Sequence, residues 1–164
     1  MRSIPTTTVP ADATVVVTDG SGHGAGIVAG GHAFALPWQA PRPPELQQRC
    51  EWEAAALGVD HAIRHTDPGR AILLVADNLG LLAGMVSGNP AAPHATNIVR
   101  SLHKALKGPL WCAFVPSEAN PADAPSRAVA GNRPTTWPHP LEPSWRRHAL
   151  LATWTVAEDD AQTT

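Results

Sequence analysis

The sequence predicts a mixed α/β (α+β) fold, a five-stranded sheet with parallel and antiparallel strands and helices packed on it, and two observations predict it. An antiparallel hairpin comes first, because the apolar runs Ile27-Val28-Ala29 and Ala33-Phe34-Ala35-Leu36 flank Gly30-Gly31. Strand and helix patterns then alternate: the opening strands are followed by helix, strand, helix, helix, strand and helix.

Residues 1–12, rich in Thr and Pro, read as a flexible leader with little to bury. Ala13-Thr14-Val15-Val16-Val17-Thr18 is a buried strand that runs into the turn Asp19-Gly20-Ser21. Gly20, Gly22, Gly24 and Gly26 invite comparison with a phosphate-binding loop, but such a loop must open a helix and this run leads into strands. Pro37 to Pro44 is a proline-rich connection, and Pro43-Pro44-Glu45 starts a helix over 45–64. Asp67-Pro68-Gly69 turns the chain into a second buried strand, Ala71-Ile72-Leu73-Leu74-Val75-Ala76, with Asp77-Asn78 at its C-terminal end.

Leu79 to Val86 is a short helix broken by Ser87-Gly88-Asn89-Pro90. The next, over 94–107, places Ile98, Leu102 and Leu106 on one stripe and stops at Gly108-Pro109. Leu110 to Val115 is the last apolar strand, and Asn120-Pro121 offers an N-cap and first-turn proline to a helix carrying Asp123, Ser126 and Arg127. The domain so drawn spans 13–130. Residues 131–164 are a Pro/Trp-rich extension packing on it, in which Trp137, Trp145 and Trp154 are expected to cover the core and the last ten residues to stay mobile.

The length of 164 residues suits one domain. No apolar stretch approaches the roughly 18 residues of a membrane span, and no basic segment followed by an apolar one opens the chain, so a soluble, cytoplasmic protein is expected. Cys50 and Cys112 fall inside a helix and a strand, which suits reduced, buried thiols. The net charge of −2 is unusual for a nucleic-acid binder. Arg100, Lys104 and Lys107 nonetheless recur at helical spacing, as either a solvated face or a phosphate-binding stripe, while Glu158, Asp159 and Asp160 collect near the C-terminus.

Chemistry enters with the acids. Asp19 and Asp77 each end a buried strand, and neighbouring strands ending in aspartate bring carboxylates side by side, where repulsion is costly unless a cation lies between them. Glu51 and Asp123 extend the set. Four carboxylates with no cysteine or histidine at matching spacing favour Mg²⁺ or Mn²⁺ over zinc. Glu51 has a rival in Glu53, about 200° away on the helix. Glu51 is followed by the small-residue face Ala55, Gly58 and Ala62, whereas Glu53 shares its side with Asp60 and Arg64, so Glu51 is expected to face the sheet. The bland account of any one aspartate is a turn or a helix cap.

Thr18-Asp19-Gly20-Ser21, Gln48-Arg49-Cys50-Glu51, Ala76-Asp77-Asn78, and Asn120-Pro121-Ala122-Asp123 with Ser126-Arg127 resemble, in order, the signatures of type 1 ribonuclease H. The similarity is closest to the ribonuclease H domains of retroelement reverse transcriptases and covers about residues 14–130. It implies a ribonuclease H-like fold with helices on both sheet faces, and cleavage of the RNA strand of an RNA–DNA hybrid with two Mg²⁺ or Mn²⁺ ions held by Asp19, Glu51, Asp77 and Asp123. Asp19 is then expected to bridge the ions, with Glu51 and Asp77 on one side and Asp123 on the other. Asp123, near a helix N-terminus, is expected to be held ionised by the helix dipole.

In the same resemblance, Gly20, Ser21, Gln47 and Gln48 stand where the RNA 2′-hydroxyl is read, and Arg49, Asn78, Arg100 and Lys104 are further candidates for substrate binding. Two departures mark the chain. Val115-Pro116-Ser117-Glu118-Ala119 lacks the loop histidine of many members, and only Gly88 to Pro93 separates the middle helices, leaving no basic insertion. Slower turnover and weak hybrid binding are expected, with a reverse transcriptase or other partner domain as a source of affinity. His65 and His103 are the histidines expected nearest nucleic acid. The alternatives are a transposase- or resolvase-type nuclease, against which Glu51 argues, and a non-catalytic binding module of the same fold.

Overall fold

The computed structural model describes residues 8–128, 135–136, 141 and 143–156. Its first strands, β1 (Thr14–Gly20), β2 (Gly24–Ala29) and β3 (His32–Pro37), form an antiparallel meander. Gly30 and Gly31, at φ 57° and 77°, make the turn between β2 and β3, a backbone conformation that costs glycine little. A 3₁₀ turn at Pro44–Leu46 leads into α1 (Gln47–Arg64), since Pro44 presets φ and needs no N–H partner there. β4 (Ile72–Ala76) pairs parallel with β1, and β5 (Leu110–Phe114) parallel with β4, joined through α2 (Leu79–Ser87) and α3 (Pro93–Ala105).

The sheet is wider than the expected five strands. Two-residue strands β6 (Thr135–Thr136) and β7 (Leu150–Leu151) cap its edges, giving the order β6-β3-β2-β1-β4-β5-β7. Two helices also differ from expectation. α3 buries Ala95, Val99 and Leu102, with Ile98 and Leu106 only partly covered. The last helix, α4 (Asp123–Ser126), has four residues and follows Ala122 with no side-chain cap; the Asn120 side chain instead accepts the Ala122 N–H, one step before the helix.

Alternation along the strands divides the core in two. Val16, Ile27, Leu74 and Cys112 face the layer of α1, α2 and α3, where Trp52, Val59, Leu81 and Met85 pack. Val17, Val28, Val75 and Ala113 face the other side, whose cover is thinner: Val9, Ala122 beside α4, Ala149 and the partly buried Trp145. Val9 belongs to residues 8–12, so the packed chain starts before Ala13. Trp154 packs on the helical layer and donates its indole N–H to Met85 O at 2.7 Å. Cys50 and Cys112 are buried free thiols. Trp137, residues 1–7 of the leader and residues 157–164 lie outside the described residues. No described helix is long and apolar enough to cross a membrane.

Candidate metal centre

The carboxylates gather where β1 and β4 end. Val17 and Val75 are the last register pair between these parallel strands, and Asp19 and Asp77 stand two residues beyond each, on the same sheet face. Glu51 arrives from the opposite face on the first turns of α1. Ligand atoms of Asp19, Glu51 and Asp77 all lie within 4.8 Å of one another. Asp123, at the start of α4, is not one of the three that meet within 4.8 Å, but it lies near enough to raise the Asp19 pKa.

Two glycines make this convergence sterically feasible. A Cβ on Gly20 would stand 2.3 Å from Cys50 O and 2.7 Å from Glu51 N, so only glycine lets α1 come this near the end of β1. Gly26 is the cross-strand partner of Asp19 in β2, and a Cβ there would meet Ala122 O at 2.1 Å and Ser126 N at 2.6 Å. The first opens the helical side for Glu51; the second opens the other side for Asp123.

Crowding has an electrostatic signature. The Asp19 carboxyl is pushed up from 3.8 to about 7, first by burial, then by the charge of Asp77, the hydrogen bond to Asp123 and the charges of Asp123 and Glu51. Asp19 is only 8 % exposed, and among the described residues no cationic side chain forms an ion pair with it. Four carboxylates supply oxygen alone, the donor set of a hard divalent cation, and a cation among them would relieve the repulsion at Asp19. The donor set fits such an ion.

Glu51 is held by two amides. Gln47 donates to Glu51 Oε1 at 3.2 Å and to Gly20 O at 2.7 Å, and Asn78 donates to Glu51 Oε2. Asn78 also caps α2, its Oδ1 accepting from Leu81 N at 2.9 Å. Its rival Glu53 points elsewhere: Arg42 binds it through both terminal nitrogens, at 3.0 and 3.1 Å, and Arg49 adds a third bond at 3.0 Å, which holds its carboxyl below the usual range against the cost of burial. Arg42 in turn lies over the Trp38 ring, 4.0 Å from its centroid.

The acids line an open cleft of about 500 Å³ together with Gly20, Gln47 and Asn78. Gln48, Arg49, Arg100 and Lys104 do not line it; Arg49 is spent on Glu53, and the other three are exposed side chains outside. Ser21 is buried and does not line the cleft. The wall also includes residues that were given no site role from sequence, among them Arg127, paired with Asp123 at 3.1 Å, and the exposed apolar Leu79 and Phe114. Arg127 was legible as part of the Ser-Arg signature, whereas Leu79 and Phe114 carry no signal, since an apolar residue at an element end ordinarily reads as core. A second hollow beside His103 and Trp154, about 600 Å³, has no carboxylate among its described lining residues and shares none of them with the cleft. Compared with models of known protein families and with curated proteins, the chain matches none.

Proposed function

We propose that the chain is a metal-dependent endoribonuclease with a ribonuclease H-like fold, hydrolysing the RNA strand of RNA–DNA hybrids with Mg²⁺ or Mn²⁺ held by Asp19, Glu51, Asp77 and Asp123. The observation that carries the reading is the meeting of Asp19, Glu51 and Asp77, from three separate elements, within 4.8 Å, with Asp123 lining the same cleft. Caps and turns explain each acid singly; they give no reason for all four to converge. What paired divalent ions supply at such a site is activation of the attacking water and charge stabilisation at the leaving 3′ oxygen.

The chain's own residues do the rest. Asp19 must be ionised to ligate, and burial and then crowding raise its pKa, so proton loss and cation entry are linked there. Gln47 and Asn78 keep Glu51 aimed into the cleft. Gln47 spends its amide hydrogens on Gly20 and Glu51, which leaves Oε1 as an acceptor for a ribose 2′-hydroxyl. Arg127, 64 % exposed on the cleft wall, is the cation best placed to meet a phosphate. A net charge of −2 gives little general attraction to a polyanion, which fits a chain whose affinity comes in part from a reverse transcriptase or other partner domain.

The test is a gel assay offering RNA–DNA hybrid, duplex RNA, duplex DNA and single strands, each with Mg²⁺, Mn²⁺ or chelator. Cleavage confined to the RNA of the hybrid and abolished by chelator is the expected result. Cleavage of duplex DNA would move the chain to the transposase or resolvase class, and no cleavage with any substrate would end the nuclease reading.

A further inference from the structure

α4 presents Asp123 to Asp19, yet it is one turn long, and a helix of that length has no stability of its own. Its position is set by side chains at both ends. At the entrance, Asn120 donates its amide to Thr18 O in β1 at 3.2 Å and accepts from Ala122 N at 2.8 Å. At the exit, the Ser21 hydroxyl donates to Ser126 O at 2.5 Å, across 105 residues of sequence. Ser126 carries the tie inward, its hydroxyl donating to Asp123 O at 2.7 Å.

Ser21 has no hydrogen left for a substrate. Its Oγ hydrogen goes to Ser126 O, its Oγ accepts the His23 N–H at 3.1 Å, and its carbonyl accepts the Trp38 indole N–H at 2.7 Å. Ser21 and Ser126 are 5 % and 0 % exposed. In a site this dry, a satisfied bond is directional and an orphaned carbonyl is costly.

We propose that Ser21 is a positioning residue for Asp123: its buried hydroxyl latches the exit of α4 while Asn120 pins the entrance, and together they fix where the fourth carboxylate stands relative to Asp19. The role rests on the reading of Asp123 as a metal ligand. It replaces direct contact with the 2′-hydroxyl as the function of this serine.

The test is calorimetric titration of the full chain with Mn²⁺ in four forms: wild type, Ser21→Ala, Asp123→Asn and the double variant. The latch predicts that Ser21→Ala weakens Mn²⁺ binding about tenfold or more in the wild-type background, as orienting partners of ligands do. In the Asp123→Asn background it should cost nothing further, because a residue acting through Asp123 has nothing left to position. No weakening, or the same weakening in both backgrounds, overturns the proposal. Should Ser21→Ala not fold by circular dichroism, Asn120→Ala takes its place in the same cycle, with the same two outcomes. Hybrid cleavage by the wild type, assayed alongside, separates the two readings. Mn²⁺ binding with a coupled cycle but no cleavage ends the nuclease assignment and leaves the latch standing. Cleavage with an additive cycle does the reverse, and a wild type that binds no Mn²⁺ overturns the latch together with the metal assignment.

Discussion

The Asn78 amide donates to the Glu51 carboxylate while its Oδ1 accepts from the Leu81 backbone N–H, so one side chain fixes a candidate ligand and the start of α2 at once. Asn78→Ala should therefore do two separable things. Loss of the cap costs about 1 kcal/mol, read as a lower urea midpoint at unchanged slope. Release of Glu51 lowers hybrid cleavage by about 10- to 100-fold, measured at saturating Mg²⁺. A stability loss with full activity would show that Gln47 alone suffices to orient Glu51.

Gly26→Ala tests the second opening. Its Cβ would fall 2.1 Å from Ala122 O, and the β2 backbone is locked between β1 and β3, so α4 must be the part that yields. Overpacking of this kind costs about 1–3 kcal/mol, and it pushes Asp123 away from Asp19. The expected outcome is a lower melting temperature together with a raised Mg²⁺ requirement for cleavage. Unchanged values of both would mean that α4 is not seated on β2 as described.

Asp19 predicts a pH dependence whose sign is unusual for an aspartate. Its folded pKa of about 7 lies above the ordinary 3.8, so between those values the native chain holds a proton that the unfolded chain has lost. The stability this contributes is present in full below 3.8 and is lost as pH rises through about 7. In metal-free buffer, the difference in melting temperature between Asp19→Asn and wild type should thus grow in favour of the variant from pH 4 to pH 8, because asparagine has no proton to lose. Mg²⁺ should erase that difference by stabilising only the wild type, and more at pH 8 than at pH 5.5. Cleavage by Asp19→Asn should fall about 10³-fold or more, the loss of several kcal/mol of charge stabilisation. A difference independent of pH would remove the crowded-carboxylate account.

The parts of this centre that were legible in the sequence are those with a local cause. A continuous apolar run predicts a central strand, so Asp19 and Asp77 could be placed at strand ends, and the small face Ala55, Gly58, Ala62 turned Glu51 rather than Glu53 toward the sheet. What was hidden depends on partners far along the chain. Ser21 reads as a turn residue placed to contact a 2′-hydroxyl until Ser126 arrives 105 residues later, and nothing local shows that its hydroxyl is already spent. β6 and β7, two residues each, have no periodicity to detect, and α4 could not be sized because its limits are set by Asn120 and β2 rather than by propensity. The stripe of α3 was displaced for a related reason: the position of α1, not apolarity, decides that Ala95 and Val99 are buried more deeply than Ile98.

Arg100 and Lys104 separate two accounts of how a chain with net charge −2 holds a polyanion. Both are exposed on α3, whose C-terminal end leads into the start of β5, whereas the acids lie beyond the far end of the sheet at the C-termini of β1 and β4. Neither side chain lines the cleft. A hybrid several turns long can still reach them. Arg100→Gln with Lys104→Gln should then leave kcat unchanged, raise KM, and flatten the slope of log KM against log salt by about 0.7–0.9 for each phosphate no longer neutralised. Arg127→Gln differs in kind: it sits on the cleft wall and balances Asp123, so it should lower kcat as well. If the double variant keeps the wild-type slope, α3 is a solvated face, and the affinity must come from the cleft itself or from a partner domain.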